Sequence, residues 1–401
     1  MQDPPDADGL DPRRRFLLHP FLGYAGNPAY DRGLIGEAAL RRTFPAAPSS
    51  YYLRNSRINA HGFPSEHADY AAETGGFHVG VFGGSVAEQL ATVGGEALIA
   101  ELERQAPELR GRVRVFNAAI GGYKQPQQLI ALILLTLQGV RFDAIVNLDG
   151  FNEVALSPSD AAARYNPIFP SRLHYLAMLN FGPDASSAHT IELYADVIGT
   201  RRRATEWRSA ADRGPLGRSE LARAAIGRAV LQLKSRATRL EQALQEAAAP
   251  PPGLAAYEPA CLRDPQDACW DLIVDVWRRG SLEMAAVARQ IGARYVHVLQ
   301  PNQYDEGSKP LSEGEREIAY LPDGDWPAGV RRGYPMLRAQ IPGMLAQGVA
   351  VLDLTQMFAS VDEDVYVDTC CHYNLRGTNA LATAVADRIL RTKPVPSEGG
   401  G

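Results

Sequence analysis

The sequence predicts an α/β protein: a three-layer α/β/α sandwich with about five parallel strands and a large, mainly helical insertion after the third strand. Short apolar runs that end in glycine or polar residues alternate with longer segments of helical spacing. This pattern is typical of strands that are buried on both faces and joined by helices. The alternation is interrupted over residues 156–265, which are rich in Pro, Arg and Ala.

Residues 1–76 precede the first predicted strand and show little periodicity, so we expect an irregular N-terminal region that packs on the core. The run 13–18 within it resembles the start of an export signal, but His19-Pro20 interrupts the apolar stretch that such a signal needs. We therefore expect a soluble chain. An exported or membrane-anchored protein whose signal is absent from this sequence is left open.

The predicted core covers residues 77–155 and 266–395, and residues 396–401 are expected to form a flexible tail. Strands are predicted over 79–84, 112–117, 143–148, 295–299 and 349–354, and helices over 86–105, 126–137, 269–290 and 379–391. Pro126 suits the first turn of its helix, because the N–H that proline lacks has no intrahelical partner there. Because strands alternate with helices, we expect a parallel sheet that is covered on both faces.

The insertion at 156–265 contains one clear helical signal. Its apolar residues step by four and three along the chain: Ile226, Val230, Leu233, Ala237, Leu240 and Leu244. We expect this helix to pack within its own domain, because the seam is short for a coiled coil with a partner chain. The proline run at 250–252 ends the helix.

Composition restricts the class of protein. Of 401 residues, 45% are hydrophobic and 22% charged, and the net charge is -5. This balance lacks the basic excess of nucleic-acid-binding proteins, and no apolar run approaches the length of a membrane span. The oligomeric state is left open.

Cys261 and Cys269 either close a small loop or remain free thiols, whereas a bridge between the adjacent Cys370 and Cys371 would be strained.

Ser85 is the candidate nucleophile. It directly follows the first predicted strand, and ligands of open α/β sheets bind at the carboxyl ends of strands. The helix that follows offers free backbone N–H groups and the positive end of its dipole. Capping this helix is the alternative role for the serine. The elbow Gly-x-Ser-x-Gly is excluded because Ala87 takes its last place, and the glycine spacing excludes a dinucleotide fingerprint.

Residues elsewhere in the chain supply what a nucleophilic serine needs. Gly122 and Asn152 follow the second and third strands, where they can offer a backbone N–H and a side-chain N–H to an oxyanion. Near the C-terminus, Asp368 lies four residues before His372. A histidine base oriented by a carboxylate is the pair that a serine hydrolase requires.

These segments resemble the sequence blocks of the SGNH (GDSL-like) serine hydrolase superfamily. The matching residues are Gly83-Gly84-Ser85, Asn117 with Gly122, Gly150-Phe151-Asn152-Glu153, and Asp368 with His372. The resemblance covers roughly 77–155 and 285–392 and implies a flavodoxin-like sandwich. It also implies that Ser85 is the nucleophile, that His372 is the base, and that Ser85, Gly122 and Asn152 form the oxyanion hole.

The chain departs from the family's pattern at three places. Gly84 and Glu153 stand where the family has aspartate, and neither position carries a catalytic group. One extra residue separates Asp368 from His372, which leaves the role of Asp368 open. A backbone carbonyl is the alternative partner of the imidazole.

Other residues have smaller expected roles. The candidates for lining the substrate pocket are Gly84, Glu153, Asn302 and Gln303. No cofactor or metal is expected, because His61 and His67 lack the company of further metal ligands. Cys370 or Cys371 is an alternative nucleophile of lower rank, since neighbours of a histidine in sequence rarely meet it in the geometry of attack.

The sequence therefore predicts a metal-independent serine esterase that cleaves a short-chain or acetyl ester, with a small-molecule or glycan ester as its partner. The nearest alternative is an O-acyltransferase that uses the same serine and passes the acyl group to a sugar hydroxyl. A non-catalytic binding protein of the same fold is the second alternative, which the large insertion and the irregular last block motivate.

Overall fold

The computed structural model describes residues 16–28, 57–172, 174, 185–213, 219–247, 259–263 and 269–394. The chain forms two compact units, residues 1–172 together with 259–401, and residues 173–258. The second unit covers fewer residues than the insertion predicted at 156–265, because residues 156–172 belong to the core. A buried ion pair between Lys124 and Asp160, 2.8 Å from Nζ to Oδ2, fastens this segment to the core.

The core unit contains a short hairpin and a five-stranded parallel sheet. The strands are β1 (Phe16–His19), β2 (Gly23–Gly26), β3 (Phe77–Gly83), β4 (Val113–Ala119), β5 (Ala144–Asp149), β6 (Arg294–Leu299) and β7 (Ala350–Asp353). The order in the sheet is β4-β3-β5-β6-β7, and every pair is parallel. This is the flavodoxin-like, doubly wound order. The predicted fold class is confirmed.

Twelve α-helices lie in the described residues. They are α1 (Ser85–Thr92), α2 (Gly95–Gln105), α3 (Gln127–Leu137), α4 (Phe151–Ala155), α5 (Ser157–Ala162), α6 (Ala185–Arg213), α7 (Glu220–Ala247), α8 (Trp270–Gln290), α9 (Glu313–Ala319), α10 (Asp325–Arg338), α11 (Ile341–Ala346) and α12 (Leu375–Arg391). On one face of the sheet α1, α2 and α12 contact one another, and on the other α3, α8 and α10 form a second layer. Helices on both faces explain why all of β3 is buried.

The sheet register brings three strand ends to one edge. Gly83, the last residue of β3, pairs with Ala119 on β4 and with Leu148 on β5. The chain turns in opposite directions to reach β4 and β5, so the ends of β3 and β5 flank the topological switch point where such sheets bind ligands. The segments that carry Ser85, Gly122 and Asn152 all begin at this edge.

Two elements differ from the prediction. The helix expected over 86–105 is two helices, α1 and α2, because glycines at 94 and 95 weaken a continuous helix. The N-terminal region, expected to be irregular, contains the antiparallel pair β1 and β2, with Phe16 opposite Gly26. Each strand has only four residues, too few for a periodic signal.

The second unit consists, in its described part, of the long helices α6 and α7, which pack against each other. Ile226 and Ala237 of the predicted seam are buried. None of the helices in the described ranges combines the length and the hydropathy that crossing a bilayer would need.

Candidate active site

Ser85 is the first residue of α1, and Gly84 occupies the N-cap position. The alternative of a serine cap is therefore wrong: the Gly84 carbonyl accepts the Glu88 N–H at 3.0 Å, and Ser85 lies inside the first turn. Its backbone N–H is one of those that a helix leaves without an intrahelical partner. The side chain is half-buried, so a substrate can reach it.

The loop after β4 presents a backbone N–H beside Ser85. Residues 120–123 form a turn in which the Tyr123 N–H donates to the Ile120 carbonyl at 3.0 Å. Gly122, at the third position, has a φ of +85°, as a type II turn requires. A Cβ built on Gly121 would lie 3.7 Å from the Ser85 Cβ. Within the described residues the Gly122 N–H makes no hydrogen bond, so it can receive an oxyanion.

Asn152 brings a side-chain amide to the same place. It is the second residue of α4, the helix that follows β5 and Gly150, and it is half-buried. Its Nδ2 donates one hydrogen to the Tyr123 carbonyl at 2.8 Å. The amide nitrogen also lies so close to Gly84 that a Cβ there would be only 2.1 Å away. The Asn152 amide is thus held against Gly84, the residue before Ser85.

If Asn152 is the oxyanion donor that the sequence predicts, replacing Gly84 with alanine should lower kcat by about 10²-fold, because the new methyl group pushes the Asn152 amide away and small misplacements of such groups have effects of this size. The amide is the end of a flexible side chain, so the melting temperature should change by only about 3 °C or less. Steady-state kinetics and thermal unfolding check both. Gly343→Ala is the matched control, since a Cβ there meets nothing within 4 Å. Full activity of Gly84→Ala would contradict the placement of Asn152.

The loop before α12 brings Asp368 and His372 together despite the extra residue between them. The Asp368 Oδ1 accepts the backbone N–H groups of Cys370 at 2.9 Å, Cys371 at 3.1 Å and His372 at 3.3 Å. The backbone wraps around the carboxylate, and Oδ2 reaches the His372 Nδ1 at 2.5 Å. A carboxylate therefore orients the imidazole through Nδ1, and Nε2 takes no part in this contact.

Charges around His372 favour its protonated form. Burial disfavours the imidazolium, but the Cys371 sulfur, the hydrogen-bonded Asp368 and Glu88 favour it, and the pKa of His372 rises to about 9. Burial raises the pKa of the Cys371 thiol well above its usual value. Against the effect of burial, hydrogen bonds and the charge of His372 lower the pKa of Asp368.

Helix α1 holds the histidine loop beside the serine. Gln89 lies one turn after Ser85, on the same face of the helix. Its Nε2 donates to the Tyr373 carbonyl at 2.6 Å, and its Oε1 accepts the Tyr373 N–H at 3.3 Å. His372 precedes Tyr373 and is thereby kept near the start of α1. In the described structure the Ser85 hydroxyl makes no hydrogen bond to His372. Such bonds often tighten only when substrate binds.

Three of the residues predicted to line the pocket are buried supports instead. Asn302 donates from Nδ2 to the Cys370 carbonyl at 3.1 Å, and Gln303 donates to the Asp368 carbonyl at 3.0 Å. Both side chains are buried, so they hold the loop of Asp368 from behind. Tyr304, which the sequence analysis did not single out, donates to the Thr369 carbonyl at 2.5 Å. The loop after β6 thus supports the histidine loop and does not face the substrate.

Glu153 is the third buried residue among those predicted to line the pocket. Its carboxylate accepts the backbone N–H groups of Gln125 and Gly150, both at 2.9 Å, and it is 2% exposed. Burial and the charge of Asp149 raise the pKa of Glu153 to about 7, although the hydrogen bonds oppose the shift. Glu153 therefore ties the loop after β4, which carries Gly122, to the loop after β5, which carries Asn152.

A second serine, histidine and aspartate meet in the core. The His297 ring contacts the Ser281 Oγ through Nδ1 at 2.7 Å and the Asp149 Oδ1 through Nε2 at 2.8 Å. The same carboxylate oxygen accepts the Trp277 Nε1–H at 2.6 Å. Ser281 and His297 are 0% exposed, so no ester reaches them. This network stabilises the packing of α8 on the sheet.

The cysteines have separate roles. Cys261 and Cys269 form a disulfide with a Cα–Cα distance of 5.2 Å, which resolves the two alternatives left by the sequence. Cys370, Cys371 and His372 are the one group of three in the described residues whose donor atoms lie within 4.8 Å of one another. Zinc binds thiolates, and the raised pKa of the buried Cys371 opposes that form. The same burial argues against Cys371 as the nucleophile.

No family model and no curated protein matches this chain. Among solved structures, it is similar to a lipase/acylhydrolase from Enterococcus faecalis with a TM-score of 0.35 and 11% sequence identity, over 79% of this chain and 98% of that chain. A likeness of this degree carries no argument about activity. The chemistry of the site therefore rests on its own geometry.

Proposed function

We propose that this protein is a serine ester hydrolase of the SGNH type. One observation supports it above all others: four separate segments carry a helix-terminal serine, the Gly122 N–H, the Asn152 amide and a carboxylate-paired histidine to one edge of the sheet. Each group is weak alone. Their convergence at the topological switch point matches the set of groups that acyl transfer requires.

In the proposed reaction the Ser85 Oγ attacks the ester carbonyl while the His372 Nε2 takes the hydroxyl proton. The tetrahedral oxyanion accepts hydrogen bonds from the Ser85 N–H, the Gly122 N–H and the Asn152 amide. The histidine returns its proton to the departing alcohol, which leaves an acyl group on Ser85. A water molecule, deprotonated by His372, then attacks this acyl-enzyme and releases the acid and the free serine.

We further propose that the ester is a short-chain or acetyl ester on a carbohydrate. Initial rates with p-nitrophenyl acetate, butyrate and octanoate test the acyl length, and acetate release from an acetylated oligosaccharide tests the alcohol. A preference for octanoate would contradict the first part. An added sugar that becomes acylated in preference to hydrolysis would instead favour an O-acyltransferase.

Labelling with a fluorophosphonate probe tests the nucleophile. We expect the folded protein to gain one adduct, which peptide mass spectrometry assigns to Ser85, and the heat-unfolded protein to gain none. Cys370→Ser should label equally well, since no thiol takes part. Absence of labelling in the folded protein would favour the non-catalytic binding protein.

Replacing Asn152 with alanine is expected to lower kcat by roughly 10²–10³-fold, as the loss of other oxyanion donors does. The donor acts on charge that develops in the transition state, so KM should change little. Steady-state kinetics with p-nitrophenyl acetate measures both quantities. Asn379→Ala, at an exposed position of α12, is the control and should keep its activity. A loss seen only in KM would remove Asn152 from the oxyanion hole.

A further inference from the structure

The N-terminal hairpin reaches the oxyanion loop through one side chain. Tyr24 on β2 is 1% exposed, and its hydroxyl donates to the Gly121 carbonyl at 2.8 Å. Its ring packs edge-on against Tyr123, with the ring centroids 5.1 Å apart. The Tyr123 hydroxyl donates back to the Tyr24 carbonyl at 2.5 Å. The hairpin and the loop are therefore joined by two hydrogen bonds and an aromatic contact.

The carbonyl that Tyr24 holds belongs to the same peptide group as the Gly122 N–H. On the other side of Gly121, its own N–H donates to the Glu88 carboxylate at 3.1 Å. The N–H of Gly122 remains, among the described residues, without a hydrogen bond. The peptide group is thus fixed by its oxygen, and because the C=O and N–H of a trans peptide point in opposite directions, its N–H points away from Tyr24.

A turn of two central glycines has an alternative conformation. Type I and type II turns differ by a flip of the central peptide group, which exchanges the directions of its carbonyl and its N–H. Here that group joins Gly121 to Gly122. The φ of +85° at Gly122 places the turn in the type II form, and glycine at both positions makes the flip sterically cheap. Some contact outside the turn must select the form that points the N–H at the substrate.

We propose that Tyr24 is the positioning residue that selects this form: its hydrogen bond to the Gly121 carbonyl holds the Gly122 N–H in the oxyanion hole. The proposal rests on the proposed esterase function. In the flipped form the Gly121 carbonyl would turn away from Tyr24 and no longer accept its hydroxyl. The same carbonyl oxygen would then face the oxyanion in place of the Gly122 N–H. An accepted hydrogen bond also polarises the peptide group and strengthens its N–H as a donor.

The hydroxyl is suited to this task across the pH range of an assay. Burial, together with the neighbouring Tyr123, Glu88 and Asp160, raises the pKa of Tyr24 well above its usual value of 10. Tyr24 therefore keeps its proton and remains a donor when His372 loses its own. Tyr24 itself should therefore add no step to the pH dependence of activity.

Tyr24→Phe tests the proposal, with Tyr70→Phe as the matched control. Tyr70 is also 1% exposed, and its hydroxyl donates to a backbone carbonyl on β4, that of Asn117, at 2.8 Å. We expect Tyr24→Phe to lower kcat for p-nitrophenyl acetate about tenfold, less than loss of the donor itself. KM and the pH midpoint should stay unchanged. Affinity for phenylboronic acid, which forms a tetrahedral adduct with the serine, should fall about tenfold as well.

Tyr70→Phe should lose a similar amount of thermal stability and keep kcat within about twofold, because a buried hydrogen bond to the backbone is lost in both variants. Equal kcat in the two variants would overturn the proposal for Tyr24 and leave the esterase function intact if Ser85→Ala is inactive. Wild-type hydrolysis by Ser85→Ala would overturn the function itself.

A double-variant cycle separates the effect of Tyr24 on the turn from a general loss of stability, because it compares the effect of Tyr24→Phe on kcat with and without Gly122→Ala. Alanine at 122 disfavours a positive φ and should by itself favour the flipped peptide. Adding Tyr24→Phe to Gly122→Ala should then lower kcat by less than about twofold more, because the conformation that Tyr24 selects is already lost. Additive losses in the double variant would show that Tyr24 acts in another way and would overturn the proposal.

Discussion

Ser85→Ala is expected to lower kcat for p-nitrophenyl acetate by roughly 10⁶-fold, the size of effect that removal of the nucleophile has in a serine protease. The hydroxyl is the only group that forms the acyl-enzyme in the proposed course, so no neighbouring side chain replaces it. Stability should change little, because within the described residues the Ser85 side chain makes no hydrogen bond. Single-turnover and steady-state kinetics at equal concentrations of the two proteins measure the loss.

Ser281→Ala is the sharpest control for this prediction. It removes the serine of the buried Ser281, His297 and Asp149 network, which has the same three residue types as the proposed site. We expect this variant to keep kcat and to lose about 1–3 kcal/mol of stability, because buried partners lose a hydrogen bond. The opposite outcome, an inactive Ser281→Ala and an active Ser85→Ala, would show that the reaction takes place at the Ser281 network and not at Ser85.

Asp368→Asn is expected to lower kcat by roughly 10²–10⁴-fold, because the carboxylate orients the imidazole and stabilises its protonated form. It should also move the pH profile. Only the neutral His372 can accept the serine proton, so wild-type kcat/KM should rise with pH up to the His372 pKa of about 9. Removal of the Asp368 charge lowers that pKa, and the rising limb should shift to lower pH while its plateau falls.

The measurement is kcat/KM from pH 5 to pH 10 for both proteins. Asp364→Asn is the matched control on the same loop, since the Asp364 Oδ1 accepts the Ser312 hydroxyl and does not contact the histidine. It should leave the limb and the plateau unchanged. An Asp368→Asn protein whose limb stays at the wild-type pH would show that a different group sets the pKa of His372, and Asp368 would leave the proposed triad.

Much of the sheet could be predicted because its signal is local. A strand that is buried on both faces is mostly apolar, so β3, β4, β5 and β6 appear in the sequence as short, mainly apolar runs. The N-terminal pair β1 and β2 could not be found in this way. Of its two four-residue strands only β2 is buried, and β2 contacts Tyr123, which lies 99 residues after Tyr24 in sequence.

The site was predictable only in part. Gln89 and Glu88 could have been found, because they follow Ser85 at helical spacing and share its face. Asn302, Gln303 and Glu153 are polar and follow strand ends, a position that predicts pocket residues. Which way a side chain points from a loop depends on the backbone path, and here all three turn inward to hydrogen-bond neighbouring loops.

The sequence by itself determined the fold class, the placement of Ser85 at a strand's carboxyl end, and the residue types that could assist it, because periodicity and glycine positions are properties of neighbouring residues. Only the tertiary structure decided that Asp368 reaches His372, since three backbone N–H groups must first wrap around the carboxylate. The contact of Tyr24 with the oxyanion loop likewise required the folded chain. Hydrogen bonds between distant segments depend on directions in space that no local pattern of residues records.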